Sequence, residues 1–216
     1  MDTAPIRETA ATDVLETEAA LREIYGTPGE LAAKKQLTYL DKHAKRFLEL
    51  CPFLVISTQG ADGLGDVSPK GDAPGFVAVL DDRTILIPDR PGNNRIDTLG
   101  NLTENPGVGI LFMIPGVNET LRINGRAKVI ADTAMLTRFE VRERLPKTGI
   151  LVEVAEMYLH CAKALVRSKL WEDDYKVDRK VLPSLGQMIA DQVEDASVDV
   201  AAADKRIADS EKNNLY

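Results

Sequence analysis

Between Phe53 and Val154 the chain is cut into short apolar runs joined by turn residues, and that spacing leaves little choice of fold. Phe53-Leu54-Val55-Ile56-Ser57-Thr58 has strand composition, and Asp62-Gly63 in the loop behind it is a hairpin signal. Phe76-Val77-Ala78-Val79-Leu80 and Thr84-Ile85-Leu86-Ile87 flank Asp81-Asp82-Arg83 as a second hairpin. Val108 to Ile114 turns through Pro115-Gly116-Val117-Asn118 into Glu119 to Ile130, where Leu121, Ile123 and Ala127 alternate with Thr120, Arg122, Asn124 and Lys128. Alternation of this kind gives a strand one apolar and one polar face. Gly149 to Val154 supplies a further strand, and short strands with tight turns predict an antiparallel barrel or sandwich.

Helical patterns surround this region. From Glu30 to Leu50 the apolar positions Leu31, Leu37, Leu40, Ala44, Phe47 and Leu48 recur every three or four residues. They predict one amphipathic helix or two short ones, closed off before Pro52. Helices are also expected over Asn94 to Asn101 and over Asp132 to Arg144, the second capped by Asp132. The end of the chain, from Ser184, reads as helical, and from Asp191 it carries seven acidic and three basic residues. Residues 1–24 read as a mobile or weakly helical arm. The expected organisation is an arm over 1–29, a β-rich domain over 30–190 and an acidic helical tail over 191–216.

The 216 residues carry 27 Lys and Arg against 34 Asp and Glu, a net charge of −7. Such a balance argues against a nucleic-acid or anionic-membrane surface, which needs clustered cations. No apolar run approaches the roughly 18 residues of a spanning helix, and the first residues lack the features of a signal peptide. With two cysteines, Cys51 and Cys161, a disulfide framework is not expected, and the cytoplasm is the default setting. A phosphate-binding G-x-x-x-x-G-K-[ST] loop, an HExxH motif, a Cys-x-x-Cys pair and a G-x-S-x-G elbow are all missing from the sequence. Two histidines, His43 and His160, do not make a metal cluster, so no metal is expected.

Three polar segments sit where strands meet loops. Gly65 to Asp72 brings the Ser68 hydroxyl, the Lys70 ammonium and Gly71 close together. Ile87 to Asp97 exposes a Pro/Gly turn and then feeds a predicted helix whose first turn holds Asn93, Asn94 and Arg95; a helix start beside an arginine suits a phosphate. His160 to Trp171 packs Lys163, Arg167 and Lys169 beside the single tryptophan of an acidic chain. Each has a plainer reading: Lys70 as a loop charge in water, Arg95 as the partner of Asp97 or Asp89, His160 as a structural side chain, Cys161 as an inert thiol and Trp171 as packing. By themselves the residues point to a β-rich protein that binds a small phosphorylated ligand.

Taken in order, F-L-V-I-S-T, D-V-S-P-K-G-D, G-F-V-A-V-L-D-D, I-P-D-R-P-G-N-N-R-I-D-T-L, N-P-G-V-G-I-L-F, E-T-L-R-I-N-G-R-A and H-C-A-K-A-L-V-R-S-K-L-W resemble the pyridoxamine 5′-phosphate oxidase-like FMN-binding split-barrel superfamily. The likeness covers about residues 30–190. It implies a mainly β (α+β) fold, a six-stranded antiparallel split barrel with flanking helices, and a homodimer with FMN sites at the subunit interface. It also implies roles. The segment ending at Lys70 and Gly71, with Ser68, stands where the oxidases hold the flavin phosphate and ribityl chain, and Asn93-Asn94-Arg95 stands at their later phosphate turn. Pro88 and Asp89 fall where the family's strand meets the flavin ring through its backbone. Thr120 sits opposite a ring-facing glutamine, Arg122 would reach the cofactor from either subunit, and Trp171, with Ser168 and Lys163 nearby, matches a late tryptophan beside the flavin.

There are also departures. Gly65 stands where the oxidases have an arginine, Asn-Asn-Arg replaces their Ser-Arg-Lys, and no arginine-x-histidine substrate signature appears near the end of the sequence. Pyridoxamine 5′-phosphate is therefore not the expected substrate. The expected function is an FMN-dependent oxidoreductase acting on an unknown small molecule or reductant. The alternatives are a flavin carrier, a haem- or deazaflavin-binding barrel in which His160 or His43 is the candidate axial ligand, and a purely structural dimer. No residue earns a general acid or base role, though Lys163 and His160 are candidates.

Overall fold

Alternation along the strands decides what reaches the interior. In the computed structural model, which describes residues 14–193 and 197–216, seven strands form among the described residues: β1 (Phe53–Gln59), β2 (Gly65–Gly71), β3 (Ala78–Asp81), β4 (Thr84–Pro88), β5 (Gly107–Met113), β6 (Thr120–Ile130) and β7 (Gly149–His160). They make one antiparallel sheet in the order β2-β1-β5-β6-β7-β4-β3. Leu54 and Ile56 of β1 and Val108, Ile110 and Phe112 of β5 point inward, and they share one core with Ile85 and Ile87 of β4 at the far side of the sheet. Strands near both edges of the sheet meet in one cluster because the sheet curls into a split barrel.

The resemblance implies six strands, and the seventh is β2, the Gly65–Gly71 segment read from sequence as polar chain at a strand end. None of its residues is buried, so it carries no apolar signal. It pairs with β1 alone, Pro69 opposite Val55. An edge strand tolerates a proline that a central strand would reject.

Eight α-helices accompany the sheet among the described residues: α1 (Glu18–Tyr25), α2 (Glu30–Lys34), α3 (Lys42–Leu50), α4 (Asp97–Glu104), α5 (Thr133–Leu136), α6 (Lys163–Ser168), α7 (Leu185–Val193) and α8 (Val200–Asn213). Of the predicted arm, residues 1–13 lie outside the described residues, and α1 buries none of its side chains. The pattern over Glu30 to Leu50 resolves as two helices. Between them Leu37 leaves helical geometry to exchange backbone hydrogen bonds with Met157 of β7, at 2.9 and 2.7 Å. Asp41 then caps α3 through the Ala44 N–H at 2.8 Å. Helix α3 buries Ala44, Phe47 and Leu48 against the barrel, and each large side chain removed from water contributes about 2 kcal/mol. Leu31, read on the apolar face, is exposed instead.

Of two predicted helices, one is shorter than the sequence suggests and the other is shifted along the chain. Asp132 does cap α5, accepting from the Met135 N–H at 3.1 Å, but after a turn of 3-10 helix the chain leaves helical geometry. Arg142 and Glu143 have φ of 52° and 61°, which no α-helix holds. The helix expected from Asn94 begins only at Asp97, for the same reason: Asn94 and Ile96 have φ of 60° and 56°. Strand β7 in turn runs past the predicted Val154 to His160, through a register shift opposite Asn124 and Gly125. The bulge moves inward-facing positions from Val152 and Val154 to Met157. It brings the Glu153 carbonyl so close to Gly125 that a Cβ there would lie 2.1 Å away. No helix among the described residues is long and apolar enough to cross a membrane.

Candidate functional site

Because β2 is an edge strand, one of its faces is left for something other than the core. Asp66, Ser68 and Lys70 lie on the half-buried side by alternation, while Val67 and Pro69 are exposed. This strand, the end of β4, the loop that follows and the start of α4 enclose a cleft of about 860 Å³. The structure brings into it Ser68, Lys70, Gly71, Pro88, Asp89, Asn93, Asn94 and Arg95, all singled out in the sequence. Arg90, Arg144, Lys147 and Tyr216 line it as well.

Local chemistry explains the loop. The Asn93 side chain accepts the Arg95 N–H at 3.0 Å, tightening a turn ahead of α4. Ile96, at the N-terminal boundary of α4, is a β-branched residue held in left-handed geometry, and it gives the helix no side-chain cap. Such a conformation costs about 1–3 kcal/mol. The uncapped first turn, Asp97 to Leu99, faces the cleft. Asn93, Asn94 and Arg95 therefore precede the helix instead of forming its first turn.

Five cations line the cleft against three carboxylates, in a chain whose net charge is −7. Lys70 Nζ lies 3.2 Å from Asp89 Oδ1, and Arg95 Nε lies 2.7 Å from Asp97 Oδ2 with its side chain 72% exposed. Arg90 is held harder: Nε donates to Asp72 Oδ2 at 2.6 Å and Nη1 to the Phe139 carbonyl at 2.9 Å. Burial alone would raise the pKa of Asp72, but hydrogen bonds from the Tyr216 hydroxyl, the Ala73 N–H and Arg90 hold it below the usual carboxylate value. Arg95 meets both of its sequence readings, as the partner of Asp97 and as cleft lining, whereas Lys70 is not a loop charge in water: it sits on β2, half-buried and paired with Asp89. At the end of β4, Pro88 has no N–H and that of Asp89 is bonded to the Thr148 carbonyl at 3.0 Å. This strand end offers a ligand its carbonyls and side chains.

The other sequence candidates lie elsewhere. Thr120 and Arg122 of β6 stand opposite His160 and Tyr158 of β7, on the outer face of the sheet. Thr120 is buried. The Arg122 guanidinium rests 4.3 Å from the centre of the Tyr158 ring and 3.7 Å from Glu156, and its Nε is buried without a hydrogen-bond partner. Lys35 approaches the same ring at 5.0 Å. Burial first, then the nearby Arg122 and Lys35 charges, lower the pKa of His160. Trp171 is tied to the β5–β6 turn by its Nε1, which donates to the Val117 carbonyl at 2.9 Å. Lys163 and Ser168 are exposed on α6, and the Ser168 hydroxyl bonds the Leu165 carbonyl of its own helix. None of these five lines the cleft within one chain.

Sequence reasoning missed Arg90, Arg144, Lys147 and Tyr216. Arg90 stood inside a quoted segment, and its burial beside Asp72 was the signal that no pattern could show. Tyr216 lies 144 positions from Asp72, its hydrogen-bond partner.

Solved structures with similar folds include HupZ from Group A Streptococcus, at 18% identity over 55% of this chain and 92% of that one, with a TM-score of 0.46. A pyridoxamine 5′-phosphate oxidase homologue from Lactobacillus delbrueckii gives 17% identity over 57% and 98%, with a TM-score of 0.46. An FAD-binding protein from Mycobacterium smegmatis gives 19% over 57% and 97%, with a TM-score of 0.40. No curated protein matches the chain. The family profile described as pyridoxamine 5′-phosphate oxidase matches residues 40–161, a span that runs from α3 through β7 and contains most of the cleft. On that match the chain belongs to the pyridoxamine 5′-phosphate oxidase family.

Proposed function

We propose that the cleft binds FMN and that the protein is an FMN-dependent oxidoreductase acting on a small molecule. The observation that carries this reading is the gathering of guanidinium and ammonium groups beside an uncapped helix start in one cleft of an otherwise acidic chain. Helix N-termini and fixed guanidinium groups are suited to a phosphate dianion. Arg95 and the first turn of α4 would hold the phosphate, with Asn93 and Asn94 shaping the loop around it. The Arg95–Asp97 pair is exposed, so exchanging its carboxylate for a phosphate costs little. Lys70 and Ser68 on β2 would contact the phosphate and ribityl chain, and Gly71, packed 3.3 Å from the Pro52 carbonyl at its Cβ position, keeps the strand close. Pro88 and Asp89 would lie along the ring. The cleft volume falls within the usual range of about 300–1,000 Å³ for small-molecule sites. Bound FMN supplies hydride or single-electron transfer, while the protein sets its orientation and surroundings.

We also propose that two copies associate so that the outer face of β6 and β7 closes over the partner's cleft. The half-exposed Arg122 guanidinium, whose carboxylate neighbour Glu156 stands off at 3.7 Å, is the observation that favours a second chain or ligand there. In that arrangement Thr120, Arg122, Lys163, Ser168 and Trp171 would complete the site from the other subunit. Two free thiols, Cys51 and Cys161, agree with a reducing cytoplasmic setting.

The test is the visible spectrum of the purified protein before and after FMN is added, with the mass in solution measured alongside. Flavin bands at one FMN per chain in a dimer are the expected result. A colourless protein that ignores FMN overturns the flavin reading, and a sharp Soret band replaces it with haem. A flavin-loaded monomer removes the interface from the site.

A further inference from the structure

Most of the cleft falls within residues 40–161, the part matched to the family, but one of its walls does not. Beyond α8 the chain returns to the barrel and places Tyr216 against the cleft. Three kinds of contact hold it. Its hydroxyl donates to Asp72 Oδ1 at 2.7 Å. Its ring lies 5.0 Å from the Arg90 guanidinium and 5.8 Å from that of Arg142. Its main-chain oxygen accepts from Arg144 Nη1 at 2.6 Å. Asp72 is itself almost fully buried, with only 4% of its side chain exposed. The anchor is therefore a fixed point in the fold and not a loose surface carboxylate. Helix α8 itself packs on α7, where Asp204 accepts from the Gly186 N–H at 2.8 Å, and none of its side chains is fully buried.

We infer that Tyr216 is a positioning residue for the cleft ligand, an aromatic wall that limits how the bound ring sits and how readily it leaves. The inference rests on the flavin reading of the cleft. With Tyr216 in place the cleft still measures about 860 Å³, so the side chain bounds the space without filling it. A tyrosine brings a flat apolar face with a polar tip that needs a partner when buried, and Asp72 provides that partner. Arg90, held between Asp72 and the Phe139 carbonyl, backs the ring with a cation. The ligand chemistry this wall suits is a planar, conjugated ring system carrying its anion toward Arg95. The Tyr216 contacts come from a segment that the family match does not include, so the wall is a feature by which this chain can differ from its relatives in ligand fit.

The experiment compares wild type, Tyr216→Phe and Tyr216→Ala in the full chain. FMN binding and the fluorescence of the bound flavin are read first, and then hydrogen exchange along α8 without ligand. Loss of the wall in Tyr216→Ala is expected to weaken FMN binding about tenfold and to leave the bound flavin brighter, because the ring that quenches it is gone. Tyr216→Phe keeps the ring and loses only the Asp72 bond, so its affinity falls less and quenching persists. In both variants α8 exchanges faster than in wild type. Equal affinity and equal brightness in wild type and Tyr216→Ala overturn the wall. If wild type binds no FMN the flavin reading fails, and exchange alone decides the docking: unchanged α8 exchange in Tyr216→Ala overturns it.

Discussion

The two polar faces of this barrel are built on different plans. Around the cleft Lys70, Arg90 and Arg95 each have a carboxylate partner at 3.2 Å or closer, Asp89, Asp72 and Asp97 in turn. On the outer face of β6 and β7 the cations Arg122 and Lys35 lean on the Tyr158 ring, and the one carboxylate beside Arg122 stands at 3.7 Å. Three of the five cleft cations are thus partnered within one chain. The outer face leaves a half-exposed guanidinium without a close carboxylate, and it is the face to which the proposal assigns a second copy. The two faces should therefore answer mutation differently, the first through stability and ligand affinity and the second through titration and association.

The largest effect is expected at Asp72. Its carboxylate receives Arg90 and Tyr216 while nearly out of water, and removing one member of a buried pair leaves the other charge uncompensated. Asp72→Ala should lower unfolding free energy by about 3 kcal/mol, measured by urea denaturation at neutral pH. The folded pKa of Asp72 is depressed, so its contribution is complete above the ordinary carboxylate value of 3.8 and is lost as pH falls through the lower folded value. The gap between wild type and variant should narrow in strong acid. A loss below about 1 kcal/mol would show that the cleft does not depend on this pair, and the contrast between the two faces would go with it.

Arg95 separates binding from stability within the same cleft. Its pair with Asp97 is exposed, so Arg95→Ala should leave the urea midpoint where it was while weakening FMN binding about tenfold or more, the scale of a charge-assisted contact. Isothermal titration of both proteins reads this directly. Unchanged affinity would move the phosphate away from the start of α4 and toward Lys70 or Arg144.

How much of this was legible beforehand differs between the same two regions. The strand composition of Phe53 to Thr58, and the alternation of Leu121 and Ile123 with Arg122 and Asn124, predicted strands that the structure contains, because both are local properties. The Asp132 cap was readable for the same reason. Strand β2 was not, since an edge strand with no buried residue carries no period to read. The bounds of α4 and the end of α5 were misplaced because the positive φ at Asn94, Ile96, Arg142 and Glu143 leaves no compositional trace. Within the cleft, residues close in sequence to the Lys70 and Arg95 motifs were found. Tyr216 and Arg144 were missed because they arrive from distant segments. Trp171 and Arg122 were grouped with the cleft by resemblance, and one chain alone keeps them apart from it.

The smallest effect is a titration on the outer face. His160 is half-buried, with its ring 4.8 Å from that of Tyr158, and its pKa is lowered from 6.5 by burial first and by Arg122 and Lys35 second. The folded state therefore gives up the His160 proton more readily than the unfolded state. Its contribution is fully present above the unfolded value and declines as pH drops below it, so mild acid should loosen this face before it affects the cleft. An NMR titration of the imidazole protons should place His160 below 6.5. In Arg122→Met the value should rise, because a nearby positive charge has gone, yet stay below 6.5 because burial is the larger cause. A value that does not move in Arg122→Met would mean that Arg122 turns away from His160 in solution. The second copy proposed for this face would then lose the cation that the face presents to it.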